Sequence, residues 1–126
     1  MPYLERPYVF GIFDCYSLLV DYYQREFGIE LERLADLRVE KWWKTGQDFM
    51  GEHYAKQGFQ PVTDDSWQDG DVLLFALDST IPNHVAIYVT GDIILHHMPN
   101  RLSRRETCGS FWRSRLTHHL RHQSKC

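Results

Sequence analysis

No apolar run in the chain approaches bilayer length, and no two cysteines are spaced as C-x-x-C. The longest apolar stretch, 72–77, suits a buried strand and excludes a membrane-spanning helix. The missing C-x-x-C argues against both a structural zinc site and a dithiol redox motif. Cys15, Cys108 and Cys126 are odd in number and far apart, as expected of a chain kept in a reducing compartment. Met1-Pro2-Tyr3-Leu4-Glu5-Arg6 lacks the basic segment and apolar run of a secretory signal, so a soluble domain made in a cytoplasm is expected. There is no internal repeat, no low-complexity tract and no basic stripe of the kind that tracks nucleic acid.

What remains is a 126-residue chain, 43% apolar and 14% aromatic, which can fill the core of one domain spanning 1–126. Its net charge is only -3 but unevenly spread: residues 1–100 hold 7 Lys/Arg against 16 Asp/Glu, and the stretch from Arg101 holds 7 against Glu106 alone. The basic end is either a contact for an anionic partner, such as a wall polymer or acidic protein, or a solvated face balancing the acidic body.

The first thirteen residues read as extended, with Pro2 and Pro7 opposing helix and Gly11 marking a turn. Residues 15–27 then carry Leu19, Tyr22, Tyr23 and Phe27 at helical spacing, with Asp14 as N-cap and Gly28 as C-cap. This helix puts Cys15 in its first turn. Leu31, Leu34 and Leu37 suggest a short helix, with Trp42 and Trp43 plugging one side of the core. A further helix is expected over 48–57 and a short strand over 59–62, before turn clusters around Trp67. Strands follow over 71–77, 84–89 and 93–97, the last two joined by Thr90-Gly91-Asp92. Trp112, Leu116 and Leu120 fall at helical spacing, and Trp112, Leu116, His118 and Leu120 equally fit one face of a strand. Helices first and antiparallel strands later indicate an α+β domain.

A thiol at a helix N-terminus meets unpaired backbone N–H groups and the positive end of the dipole. With a cationic neighbour such placement can lower a cysteine from ~8.5 to roughly 3.5–7.5, making the thiolate a ready nucleophile. The alternative is a buried small hydrophobe. His84 opens one strand and His96 ends the next, and alternation puts them on one face. Paired positions around Gly91 should sum to about 182; these two fall short by about two, an offset a bulge or one-step shift covers. Cys15, His84 and His96 thus form a candidate nucleophile, base and orienter, a triad lacking a carboxylate. The same three could in principle bind zinc. His97 should face away from His96, at the surface or behind the site. His118, His119 and His122 read as solvated, with a metal site as the alternative.

Tyr8 and Gly11, Asp14-Cys15, Gly70-Asp71-Val72, His84-Val85-Ala86-Ile87-Tyr88, and His96 twelve residues after His84 occur in an order that resembles the NlpC/p60 cysteine peptidases. The resemblance runs from Tyr8 to Ser103. It is strongest to the phage tail-assembly branch, through Pro7 to Gly11, Asp14 to Leu18, and Leu95-His96-His97 with Arg101-Leu102-Ser103. It implies a papain-like fold with N-terminal helices packed on an antiparallel sheet, and a peptidoglycan endopeptidase cutting stem peptides after D-glutamate. It implies catalysis by Cys15, His84 and His96, with the Cys15 N–H as oxyanion donor and Tyr8 and Asp14 bordering the substrate. No metal or cofactor is implied. The partners would be the stem peptide and phage tail proteins, and the location the host cytoplasm at synthesis and then the virion tail. The metalloprotease-like domain that often precedes this one is expected to be missing. Tyr16-Ser17 replaces the usual Ser-Gly, and the Tyr8–Cys15 segment is shorter than in wall enzymes of bacteria. Two alternatives stand beside hydrolysis. One is a binding protein using the basic tail with Trp42, Trp43 and Trp112 as contact surface; the other is an acyltransferase sharing the thioester.

Overall fold

The computed structural model describes residues 3–10, 14–32 and 48–125. The expectations for Gly11, the helix through Leu34 and Leu37, Trp42, Trp43 and Cys126 lie outside the described residues. Helix α1 (Cys15–Phe27) begins as its sequence dictates: extended Asp14 accepts the Ser17 N–H on its side chain at 2.8 Å. It stops at Gly28, whose φ of 66° lets its N–H close back onto the last carbonyls. A short helix α2 (Phe49–His53), capped by Asp48, and a 3-10 turn over Ala55–Gln57 occupy the expected second helical segment.

The strands are β1 (Phe59–Pro61), β2 (Val72–Phe75), β3 (His84–Val89), β4 (Ile93–His96), β5 (Arg104–Thr107) and β6 (Leu116–His122), with a helical turn α3 (Ser110–Arg113) before the last. They form one antiparallel sheet in the order β1-β6-β2-β3-β4-β5. Both readings of the tail therefore hold in part: Trp112 is helical, and Leu116, His118 and Leu120 lie on a strand.

Both faces of the sheet are covered, which explains why β2 is apolar at every position. On one face Val72, Leu74, Val85, Ile87, Leu95 and Leu120 pack under α1 through Leu18, Leu19 and Tyr23. Tyr23 is wholly buried, and its hydroxyl donates to the Gly70 carbonyl, tying α1 to the head of β2. On the other face Leu73, Phe75, Ala86, Tyr88 and Ile94 pack with Trp112 and Cys108. Asp71 is buried at that strand head and satisfied by Arg121 Nε at 2.8 Å, His119 Nε2 at 2.6 Å and the Gln68 N–H at 3.1 Å. The Gly70-Asp71 pair is thus a structural clamp. Ser103 pins the N-terminal segment, donating to the Tyr3 carbonyl at 2.7 Å and accepting the Arg6 N–H at 2.9 Å.

Two histidine expectations are corrected. His119 is not solvated: it bonds Asp71 and stacks on Trp67 with ring centroids 4.1 Å apart. His122 is buried among Tyr23 and Phe59. His118 leans on Tyr54 and stays partly exposed. His119 and His122 sit on a strand whose neighbours cover them, which a count of charges along the tail does not reveal. No helix among the described residues is long and apolar enough to cross a membrane.

Candidate active site

Cys15 is the first residue of α1, half-buried where the helix packs on β3. The Val85 backbone N–H leans on its sulfur, one residue along from His84. His84 and His96 lie on the far face of the sheet from α1, with Ala86 and Ile94. The register pairs Ala86 with His96, so the pairing sum is the regular one and His84 is a diagonal neighbour, with no bulge needed. His84 Nε2 meets His96 Nδ1 at 2.8 Å, a hydrogen bond between rings inclined at 70°. Those two nitrogens face each other too closely to share an ion. Among the described residues no group of three or more His, Cys, Asp or Glu side chains is arranged to hold a metal.

The structure thus brings the two imidazoles into contact and brings the sulfur to the backbone at the head of β3. Among the described residues no hydrogen bond joins the sulfur to either ring. His84 Nδ1 is the ring nitrogen that His96 leaves unengaged.

A carboxylate does stand behind the pair, correcting the expectation of a triad without one. His96 Nε2 meets Glu106 Oε2 at 2.9 Å, and Glu106 in turn accepts from Trp112 Nε1 at 2.7 Å and Arg104 Nε at 2.9 Å. Trp112 is buried at 5% exposure, packed on Phe75, His84 and His96, so it is not the contact surface expected of it. Glu106 escapes a reading of the sequence because β5 holds no apolar residue in Arg104-Arg105-Glu106-Thr107. A usable signal was present in the turn residues Pro99 and Asn100: a hairpin about that point sets Glu106 opposite Ile94, on the His96 face.

Charge states follow burial. Burial and the adjacent Asp14 carboxylate push the Cys15 thiol up to about 12, against the opposing N–H groups of Val85, Tyr16 and Cys15 itself. The helix end is there, but among the described residues no cation faces the sulfur, and burial with the Asp14 charge opposes the lowering expected from a helix N-terminus. Burial, then the neighbouring His96 and His97, hold His84 well below the usual histidine range. His96 is also lowered by burial, with Glu106 pulling the other way. Sulfur and both rings are neutral near pH 7.

Asp14 has one oxygen committed to the Ser17 cap. The Tyr8 ring meets His97 edge-on at 5.4 Å. His97 does point away from His96, as alternation requires, but it is fully buried and not at the surface; Nε2 donates to the Arg101 carbonyl at 2.8 Å, and Nδ1 is buried without a partner among the described residues.

Over an alignment covering 98% of the chain, the sequence is 38% identical to tail tip assembly protein K of Escherichia phage lambda. It spans between half and three-fifths of the length of the curated relatives it matches. The fold is similar to that of an NLP/P60 family protein from Staphylococcus aureus, with TM-score 0.64 and 25% identity over 96% of this chain and 38% of that one. The NlpC/p60 domain of the peptidoglycan hydrolase SagA shares the fold, with TM-score 0.59 and 17% identity over 95% of this chain and 90% of that one. Residues 5–121 match the family described as NlpC/P60, and with a helix-head cysteine against an antiparallel sheet in hand, the chain belongs to the NlpC/P60 family.

Proposed function

We propose that the chain is a cysteine peptidase that cleaves stem peptides of peptidoglycan, acting with a phage tail as a local wall hydrolase. The observation that carries this reading is the 2.8 Å contact between His84 Nε2 and His96 Nδ1 at the head of the strand where the Cys15 sulfur rests. Family membership supports the thiol chemistry, and likeness to the lambda protein supports the tail setting. The stem peptide as substrate, tail proteins as partners, and passage from host cytoplasm to virion tail are extensions of those likenesses.

Cys15 attacks the scissile carbonyl while His84 Nδ1 takes the thiol proton, because both groups are neutral at rest. The Cys15 N–H at the start of α1 faces the developing oxyanion, and Tyr8 and Asp14 border the substrate. His84 then gives its proton to the departing amine, leaving a thioester. Water, deprotonated by His84, attacks the thioester, releases the carboxylic acid and restores the thiol. His96 holds the base in place throughout.

Mass spectrometry of purified stem peptides after incubation tests the substrate. Cleavage after D-glutamate is expected, and added amines should not be incorporated. Amine-capped products would instead assign acyl transfer. Intact peptides, with normal infection by a phage carrying Cys15→Ala, would make the chain a binding protein.

A further inference from the structure

Glu106 stands where its charge can decide which nitrogen of each imidazole carries the proton. It lies opposite Ile94 on β5, so it shares a face with His96, and Arg104 lies opposite His96 itself. Its Oε1 accepts Trp112 Nε1 at 2.7 Å; its Oε2 accepts Arg104 at 2.7 Å and 2.9 Å and meets His96 Nε2 at 2.9 Å. Burial alone would raise this carboxyl, but hydrogen bonds from His96, Trp112 and Arg104 together keep it below the ordinary range, so it is ionised.

An ionised carboxylate only accepts hydrogen bonds, so the proton of the His96 ring must sit on Nε2. A neutral imidazole has one N–H, so His96 Nδ1 is bare and can only accept. Its neighbour at 2.8 Å, His84 Nε2, must then be the donor. His84 is neutral as well, which leaves its Nδ1 bare. Reversing any link would set two donors or two acceptors against each other in a buried contact.

We propose that Glu106 is a positioning residue that fixes the proton on Nε2 of both His96 and His84, leaving His84 Nδ1 as the only basic nitrogen available to the thiol. The inference rests on reading Cys15 and His84 as nucleophile and base, but its core, the order of protons, can be measured without turnover. The neutral partner Gln offers an amide N–H as readily as a carbonyl, so it removes the constraint while keeping the shape.

Long-range proton–nitrogen correlation spectra of the histidine-labelled protein at pH 7 should show both rings as the Nε2–H form. In Glu106→Gln that single form should give way to a mixture or the opposite one at His96 and His84, with the remaining spectrum unchanged. With a cleaved substrate, kcat should fall at least about tenfold, within the roughly 10^4 that general-base catalysis supplies, at unchanged KM. Glu106→Asp, which keeps the charge, should restore part of both. A His84 ring protonated on Nδ1 in the parent protein, or one indifferent to Glu106→Gln, would overturn the proposal even if activity fell. The predicted ring forms in a protein that cleaves nothing would uphold the role of Glu106 and remove the hydrolase reading instead.

Discussion

Asp14→Asn isolates what the carboxylate beside Cys15 does to the thiol. Asn caps a helix about as well as Asp, so the bond to the Ser17 N–H and the start of α1 survive while the charge goes. With the thiol near 12, the thiolate fraction at pH 7 is about 10^-5, against roughly 3% for an ordinary cysteine near 8.5. At a separation of ~5 Å a unit charge contributes roughly 0.8 kcal/mol in water and about 3 kcal/mol at an effective dielectric of ~20. Its removal should therefore raise the thiolate between about fourfold and a few hundredfold. The assay is iodoacetamide alkylation from pH 6 to 9, with Cys15 followed by peptide mapping to separate it from Cys108 and Cys126. The parent rate should climb about tenfold per pH unit with no acid plateau, and Asp14→Asn should run faster at each pH. A fast plateau at acidic pH would mean a resting thiolate–imidazolium pair and refute the reasoning; so would an unchanged or slower Asp14→Asn.

Acid should destabilise the fold through its buried histidines. His84, His96 and His97 are all held below the usual value chiefly by burial, so from about pH 6.5 downward the unfolded chain binds more protons than the folded one. Stability is then full above that pH and lost as pH falls toward the folded values, at up to about 1.4 kcal/mol per pH unit per ring; urea midpoints that do not fall between pH 7.5 and 5.5 would contradict this. Gly58→Ala should cost about 1–2 kcal/mol for its φ of 91° alone, and more because a Cβ would lie 2.7 Å from His122 Nε2. An unchanged thermal midpoint would show that the turn after Gln57 relaxes freely. Tyr23→Phe leaves the Gly70 carbonyl without its buried donor and should cost about 1–3 kcal/mol in denaturant titrations.

The parts legible in the sequence are those set by local chemistry. Asp14 and Gly28 bracket α1 because an acceptor and a left-handed residue are what helix ends demand, and β3 spans His84–Val89 as its flanking turns require. The shared face of His84 and His96 followed from alternation along each strand. Their diagonal offset followed too, since Gly91 and Asp92, both at positive φ, close the turn with the expected pairing sum, and only the bulge allowed for it proved unnecessary. β5 was hidden because its stability comes from pairing with β4 and not from an apolar stripe. Trp112 looked exposed for a related reason: the face it covers is built from Phe75, His84 and His96, residues far from it in the chain. The raised thiol likewise depends on what packs over Cys15, and the position of a cysteine at a helix start says nothing of that.

The measurement that bears most directly on the site is the turnover of Cys15→Ala beside the parent protein, on a stem peptide the parent cleaves, with both proteins shown to be equally folded by circular dichroism and thermal midpoint. Loss of the nucleophile should lower kcat/KM by at least about 10^3-fold, as expected when one member of a cooperating group is removed. Equal cleavage by the two proteins would mean that the sulfur takes no part in the reaction.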